Sequence, residues 1–174
     1  MDIIDISLSK IDVLQPKPID NNFVFDITYD SNPFIIKCCG IMKPKIEEKL
    51  LNITNKNDLL NLHKIYNRII EIIFNNQTKW FENNFTQNEL KDMFIDIFIP
   101  NIELNCLDMR CNMVSKVELK NEDTIIPCFN FNNIIFDGKK FYISLDLEDY
   151  QIINNVESAT NTKNTILSDN NEKK

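Results

Sequence analysis

The alternation of apolar and polar positions starts near the N-terminus. Ile4, Ile6 and Leu8 alternate with Asp5, Ser7 and Ser9, which predicts a strand over residues 3–14. Pro16 and Pro18 would end it, because proline cannot donate to a ladder. A second strand is expected over Phe23-Val-Phe-Asp-Ile-Thr-Tyr29, followed by four turn formers, Asp30-Ser-Asn-Pro33. The apolar run Phe34-Ile-Ile-Lys-Cys-Cys-Gly-Ile-Met42 beyond them completes a hairpin.

The period then changes. Leu59, Leu62, Tyr66, Ile69 and Ile73 recur at three- and four-residue steps, and Leu60, Ile65, Ile70 and Ile72 widen the stripe. This predicts a long helix capped at Asp58 with a broad buried face. Thr86-Gln-Asn-Glu89 fits a capping box for a second helix that presents Leu90, Met93, Phe94 and Ile97 and stops before Pro100.

Period two returns afterwards. Met109, Cys111, Met113, Ser115, Val117 and Leu119 oppose Arg110, Asn112, Val114, Lys116, Glu118 and Lys120 as a half-buried strand. Asp137-Gly138 suits a tight turn needing positive φ between two further strands. On the second of these, Phe141, Ile143, Leu145 and Leu147 face the core, and Tyr142, Ser144, Asp146 and Glu148 face out. Residues 154–174 hold too little apolar surface to offset the entropy of ordering and read as a disordered polar tail.

The order is strands, two helices, strands. It predicts a mainly β (α+β) chain, an oligonucleotide-binding (OB-like) β-barrel or a related sandwich. The domain spans residues 1–153, with a two-helix insertion at about 57–99. At 174 residues and 43% hydrophobic composition, one domain with a substantial core is the expectation. No stretch has the length and apolarity of a membrane span, and the acidic start Met1-Asp-Ile-Ile-Asp5 does not resemble a secretion signal. A protein that is neither secreted nor membrane-bound is expected, its five cysteines reduced. The abundance of Asn and Ile against just two arginines, Arg68 and Arg110, points to an AT-rich genome.

Catalytic chemistry finds little material. His63 is the one histidine and lies in the amphipathic helix, while Gly40 and Gly138 are the two glycines. Backbone phosphate cradles therefore cannot be built in the usual way. Cys106, Asp108, Cys111 and Cys128 lack zinc-site spacing, and Asp146, Glu148 and Asp149 read as a solvated face. No cofactor and no metal is expected, and an enzyme ranks third among the readings.

Single strands of nucleic acid are gripped by aromatic platforms flanked by cations. Lys79-Trp80-Phe81, between the two helices, is the densest such group, although the first reading of the two rings is that they close the helical pair onto the barrel. Tyr142 beside Lys139 and Lys140 is a second candidate, and Arg110 with Lys116 a third; Lys37 and Lys43 flank another strand. Phe129 and Phe131 share one strand face and read as core. The net charge of −7 excludes a uniformly basic surface but leaves room for a local groove.

With these residues in view, the chain resembles the single-stranded-DNA-binding proteins of the nucleocytoplasmic large (giant) DNA viruses, which include an African swine fever virus member. The resemblance runs over residues 1–153. It is carried by Phe34-Ile-Ile-Lys-Cys-Cys-Gly-Ile-Met-Lys-Pro44, by Tyr66-Asn-Arg-Ile-Ile-Glu-Ile-Ile-Phe-Asn-Asn-Gln-Thr-Lys-Trp-Phe81, by Asn88-Glu-Leu90 and by Ile134-Ile-Phe-Asp-Gly-Lys-Lys-Phe-Tyr142. It implies an OB-like fold that coats single-stranded DNA during viral replication, repair or packaging, in the host cytoplasm (viral factory) or the virion. Lys79, Trp80 and Phe81 are the residues it carries over. Single-stranded nucleic acid, viral replication or virion proteins and a second copy of the chain are the partners to consider. The alternative reading is a structural virion protein, a minor capsid or scaffold component, acting through protein–protein contacts.

Overall fold

The computed structural model describes residues 1–82, 84–101, 106–113 and 119–153. In chain order its strands are β1 (Ile11–Val13), β2 (Lys17–Ile19), β3 (Asn22–Tyr29), β4 (Asn32–Pro33), β5 (Ile35–Lys37), β6 (Met42–Lys45) and β7 (Leu50–Ile53). Helices α1 (Lys56–Trp80) and α2 (Gln87–Met93) follow. The strands resume as β8 (Phe98–Asn101), β9 (Cys106–Arg110), β10 (Asn112–Met113), β11 (Ile125–Phe136) and β12 (Phe141–Ile152). The chain is therefore mostly β-sheet with two helices. The expected tail, residues 154–174, lies outside the described residues.

At the N-terminus the expected strand is largely replaced by two 3-10 turns, Ile3–Asp5 and Leu8–Lys10, and only β1 is extended. Such turns bring residues three apart onto one side. Ile3 is accordingly buried while Ile4, expected to face inward, is 64% exposed. Pro18 does not end the strand region but lies within β2, which among the described residues pairs with β3 alone. An edge strand tolerates the missing donor. Asp30 and Ser31 both adopt positive φ (51° and 62°) in the two-residue turn that joins β3 to β4, the twist-matched form of a hairpin turn.

The run expected as one strand over 34–42 is broken into β5 and β6 at Cys38–Ile41. The break is fixed by Asp58, whose carboxylate accepts from Cys39 N (3.2 Å) and Gly40 N (2.7 Å). Asp58 is thus not the helix cap. Asn55 is, accepting from Asn57 N and Asp58 N. Between Met42 and Asp58, where the pattern assigns no element, β6 and β7 form a hairpin. All four residues of β7 are buried, so no alternation marks it.

Helix α1 buries Leu62, Ile65, Tyr66, Ile69, Ile70, Ile72 and Ile73, as its period predicts, but Leu60 is exposed. The capping box at Thr86 and Glu89 forms, yet α2 ends at Met93 instead of running to residue 99. Phe94 stacks on Phe141 at 4.7 Å, Ile95 N donates to Phe141 O, and β8 joins β9. Pairing with the sheet replaces the helical bonds that continuation would have made.

The pairings trace the path β1-β3-β11-β6-β7-β9-β8, with β12 on β11 and β10 on β12. The sheet is not closed: among the described residues the path ends at β1 and β8. β11 and β12 form the longest ladder, irregular at Cys128/Phe129 and at Phe131/Asn133. Phe25, Phe34, Phe129, Phe131 and Phe141 are wholly buried with the inner face of α1 in one core. No helix among the described residues is long and apolar enough to cross a membrane.

Candidate nucleic-acid interface

The strand breaks at Cys111, between β9 and β10, where the chain passes from pairing with β7 and β8 to pairing with β12. Among the described residues β10 pairs with β12 at Asp146 and Leu147, and ahead of that pairing Tyr142, Ile143 and Leu145 line a cleft of about 240 Å3. Its walls include Ile95, Ile97, Arg110, Asn112, Tyr142 and Leu145. Two residues singled out from the sequence, Arg110 and Tyr142, are thereby brought together although 32 positions separate them. Arg110 is exposed at the end of β9, and among the described residues no carboxylate forms an ion pair with it.

Lys139 and Lys140 lie three and two positions before Tyr142, in the β11–β12 loop. Phe136 faces Phe141 in the register, so the loop has four residues where the sequence suggested a tighter turn. Gly138 does take positive φ, +90°. Asp137 organises the loop: one carboxylate oxygen accepts from Lys139 N and Lys140 N, both at 2.8 Å. The other accepts from the Tyr142 hydroxyl at 3.1 Å. Lys140 Nζ donates to Asp92 O at 2.6 Å.

The amides of Lys140 and Lys139 hold the Asp137 carboxyl below its ordinary pKa. The hydrogen bond to Asp137 pushes the Tyr142 phenol up. A carboxyl whose folded pKa is depressed contributes order that is present above its unfolded value and lost as pH falls through its folded value. The tip should therefore stay ordered through neutral pH and loosen only below an ordinary aspartate pKa of about 3.9. The amide resonances of Lys139 and Lys140 followed down the pH scale would check this; loosening near pH 6 would contradict it.

Lys79, Trp80 and Phe81 are placed elsewhere. They end α1, and both rings pack against the core. Trp80 meets Phe25 edge-on at 5.6 Å. Phe81 lies within 5.6–6.1 Å of Phe25, Phe85, Phe136 and Phe141. Phe141 and Tyr142 alternate across β12, so these rings are on the sheet face opposite Tyr142. Lys79 is exposed in the last helical turn, where a cation favours the helix dipole. Trp80→Ala should accordingly lower unfolding free energy by about 2–3 kcal/mol, read by urea denaturation, with nucleic-acid affinity changed less than twofold.

Lys116 lies outside the described residues. Lys43 lines a separate hollow of about 350 Å3 with Glu47, Glu48 and Asn52, and Lys37 is exposed on β5. Phe129 and Phe131 are core, as their spacing indicates. The His63 ring lies on Phe98 at 4.0 Å. Burial pushes the Cys38 and Cys111 thiols up, which leaves little thiolate for chemistry. Among the described residues no three His, Cys, Asp or Glu side chains converge to hold a metal ion.

Sequence reasoning missed the polar cluster beside Tyr142. Asp146 accepts from Asn112 Nδ2 (2.9 Å), Asn132 Nδ2 (3.2 Å) and Ser144 Oγ (3.4 Å). Asn112 Nδ2 also approaches Ser144 Oγ at 3.3 Å. Asparagine is common throughout the chain, so its recurrence at 130, 132 and 133 carried no contrast. The bulge that turns Asn132 outward has no local sequence mark.

No protein-family model matches this chain, no curated protein is significantly similar to it, and no solved structure matches it significantly.

Proposed function

We propose that this chain binds single-stranded nucleic acid, DNA more readily than RNA, without catalysing a reaction. The observation that carries the reading is the convergence of Arg110 and Tyr142 on one cleft, with Lys139 and Lys140 on the adjoining loop. An exposed ring offers every base a stacking face, and the nearby cations meet the backbone phosphates. With a net charge of −7, binding is expected at a local site and not over the whole surface.

An OB-like barrel is the finer fold we propose. It is supported by five strands, β6, β7, β9–β10, β11 and β12, whose pairings run β6·β7·β9 and β10·β12·β11·β6. All are antiparallel except β10·β12. A partly open five-stranded Greek-key barrel has this form, and the cleft would be its opening. Membership of the giant-virus single-stranded-DNA-binding family, with a role in viral replication, repair or packaging, belongs to the same proposal. It rests on the sequence resemblance set out above.

Fluorescence anisotropy with a labelled oligothymidylate tests the function. Micromolar or tighter binding is expected at low salt. Phosphate contacts from Arg110, Lys139 and Lys140 correspond to a slope of log K against log salt of roughly −2. Arg110→Ala and Tyr142→Ala should each weaken binding about tenfold, since base stacking and charged contacts are worth about 1–3 kcal/mol each. Absence of binding at low salt would turn the reading to a structural virion protein. That alternative is favoured by the exposed Leu14, Ile19 and Phe23 around β2 and β3, which suit a protein partner.

A further inference from the structure

We infer that the site prefers bases carrying an exocyclic amino group, cytosine above thymine; this rests on the single-strand-binding reading and specifies its base selectivity. Asp146 sits at the centre of the polar cluster. A carboxylate has only acceptors, so the side-chain amides that reach it must present nitrogen. Asn112 and Asn132 both do so, and Asn112 directs its nitrogen to Ser144 Oγ as well. The amide orientation, ordinarily ambiguous between oxygen and nitrogen, is thereby set by chemistry.

The consequence is a surface of oxygens. Asn112 and Asn132 are exposed, and with their nitrogens turned to Asp146 their Oδ1 atoms are left to accept. Asn133, opposite Ser144 in the ladder, adds a buried Oδ1 with no partner among the described residues. That atom is sealed from an incoming base, so the acceptors a base can meet are those of Asn112 and Asn132. Asn112 belongs to the same cleft as Arg110 and Tyr142. Ser144 and Asp146 follow Tyr142 on the outward face of β12, each two-residue step spanning about 7 Å. A strand whose phosphates meet Arg110 and Lys139, with one base on Tyr142, therefore brings its next base over these oxygens.

Cytosine offers an amino donor there, where thymine offers a carbonyl acceptor. Oxygen facing oxygen forms no hydrogen bond, so thymine loses water contacts without replacement. The two pyrimidines present rings of similar size, which makes their comparison a test of the polar edge.

The experiment is anisotropy with oligodeoxycytidylate and oligodeoxythymidylate of equal length at mildly alkaline pH and low salt, on the wild type and Asp146→Asn. The wild type should bind the cytidylate roughly fivefold more tightly, the worth of one net hydrogen bond. Asp146→Asn presents an amide that donates as well as accepts, so Asn112 and Asn132 are free to flip and the preference should fall to about twofold or less. Urea unfolding of Asp146→Asn beside the wild type reports that the variant is folded, and the ratio of the two affinities, not either affinity alone, is what the test reads. Equal wild-type affinities, or a preference that survives Asp146→Asn, would overturn the inference and leave single-strand binding standing. Failure to bind either oligonucleotide would remove both.

Discussion

Phe141→Ala should lower the free energy of unfolding by about 3–5 kcal/mol, the range for deleting a wholly buried aromatic ring. The side chain has no exposed surface. It stacks on Phe136 at 4.3 Å and on Phe94 at 4.7 Å, with Phe25 and Phe81 at 6.1 and 6.0 Å. Four rings would lose a neighbour together, and the vacated space adjoins the backbone bond from Ile95 N to Phe141 O. Since a domain of this kind is stable by roughly 5–15 kcal/mol, the variant would retain only part of its margin. Phe141→Leu should recover about half of the loss. Urea denaturation reads both. Because Phe94 and Phe141 touch, the double variant Phe94→Ala/Phe141→Ala should cost less than the single losses combined by about 1 kcal/mol. Simple additivity would show that the two rings do not act as a unit. The wall containing Ile95 depends on this contact, so loosening it should also weaken oligonucleotide binding by Tyr142.

Asp58→Ala comes next, at about 3 kcal/mol, from the buried amide of Gly40 and the part-buried amide of Cys39 deprived of an acceptor, at roughly 1–3 kcal/mol for a buried one. Asp58 is wholly buried, and its carboxylate is what turns Cys39 and Gly40 toward the start of α1. Its place in the first helical turn also suits the helix dipole. Asp58→Asn retains one acceptor oxygen and should fall between wild type and alanine. Gly40 gives an independent test of the same junction. A Cβ there would stand 2.3 Å from Asn55 Cβ and 2.7 Å from its amide, so Gly40→Ala must push the capping side chain away and cost about 2–4 kcal/mol through overpacking and a lost cap. Thermal or urea unfolding within 1 kcal/mol of wild type for both variants would show that the junction does not hold α1 to the sheet.

The same junction explains where the sequence could be read and where it could not. Helix α1 was legible because seven of its buried residues recur at helical spacing, and the Thr86–Glu89 box because its two bonds are local. Phe141, Ile143, Leu145 and Leu147 could be assigned inward from alternation alone. The break between β5 and β6 could not be foreseen, since it depends on a carboxylate 18 and 19 positions further on. The end of α2 at Met93 depends likewise on Phe141, a strand that comes later in the chain.

The candidate site divides in the same way. Tyr142 was placed outward, and Lys139 and Lys140 were grouped with it, by period two and the Asp137-Gly138 turn. That Arg110 joins them, while Trp80 and Phe81 pack on the opposite side of the sheet, follows only from strand pairing and from the change of partner at Cys111. By itself the sequence determined which stretches are helix or strand wherever periodicity is strong, and which side of β12 meets water, because these depend on neighbours within a turn or two. The tertiary structure alone decided which strands adjoin, where the ladder opens into a cleft and which polar atoms are left without partners. Those outcomes are set by contacts between residues far apart in the chain, whose energies no local pattern records.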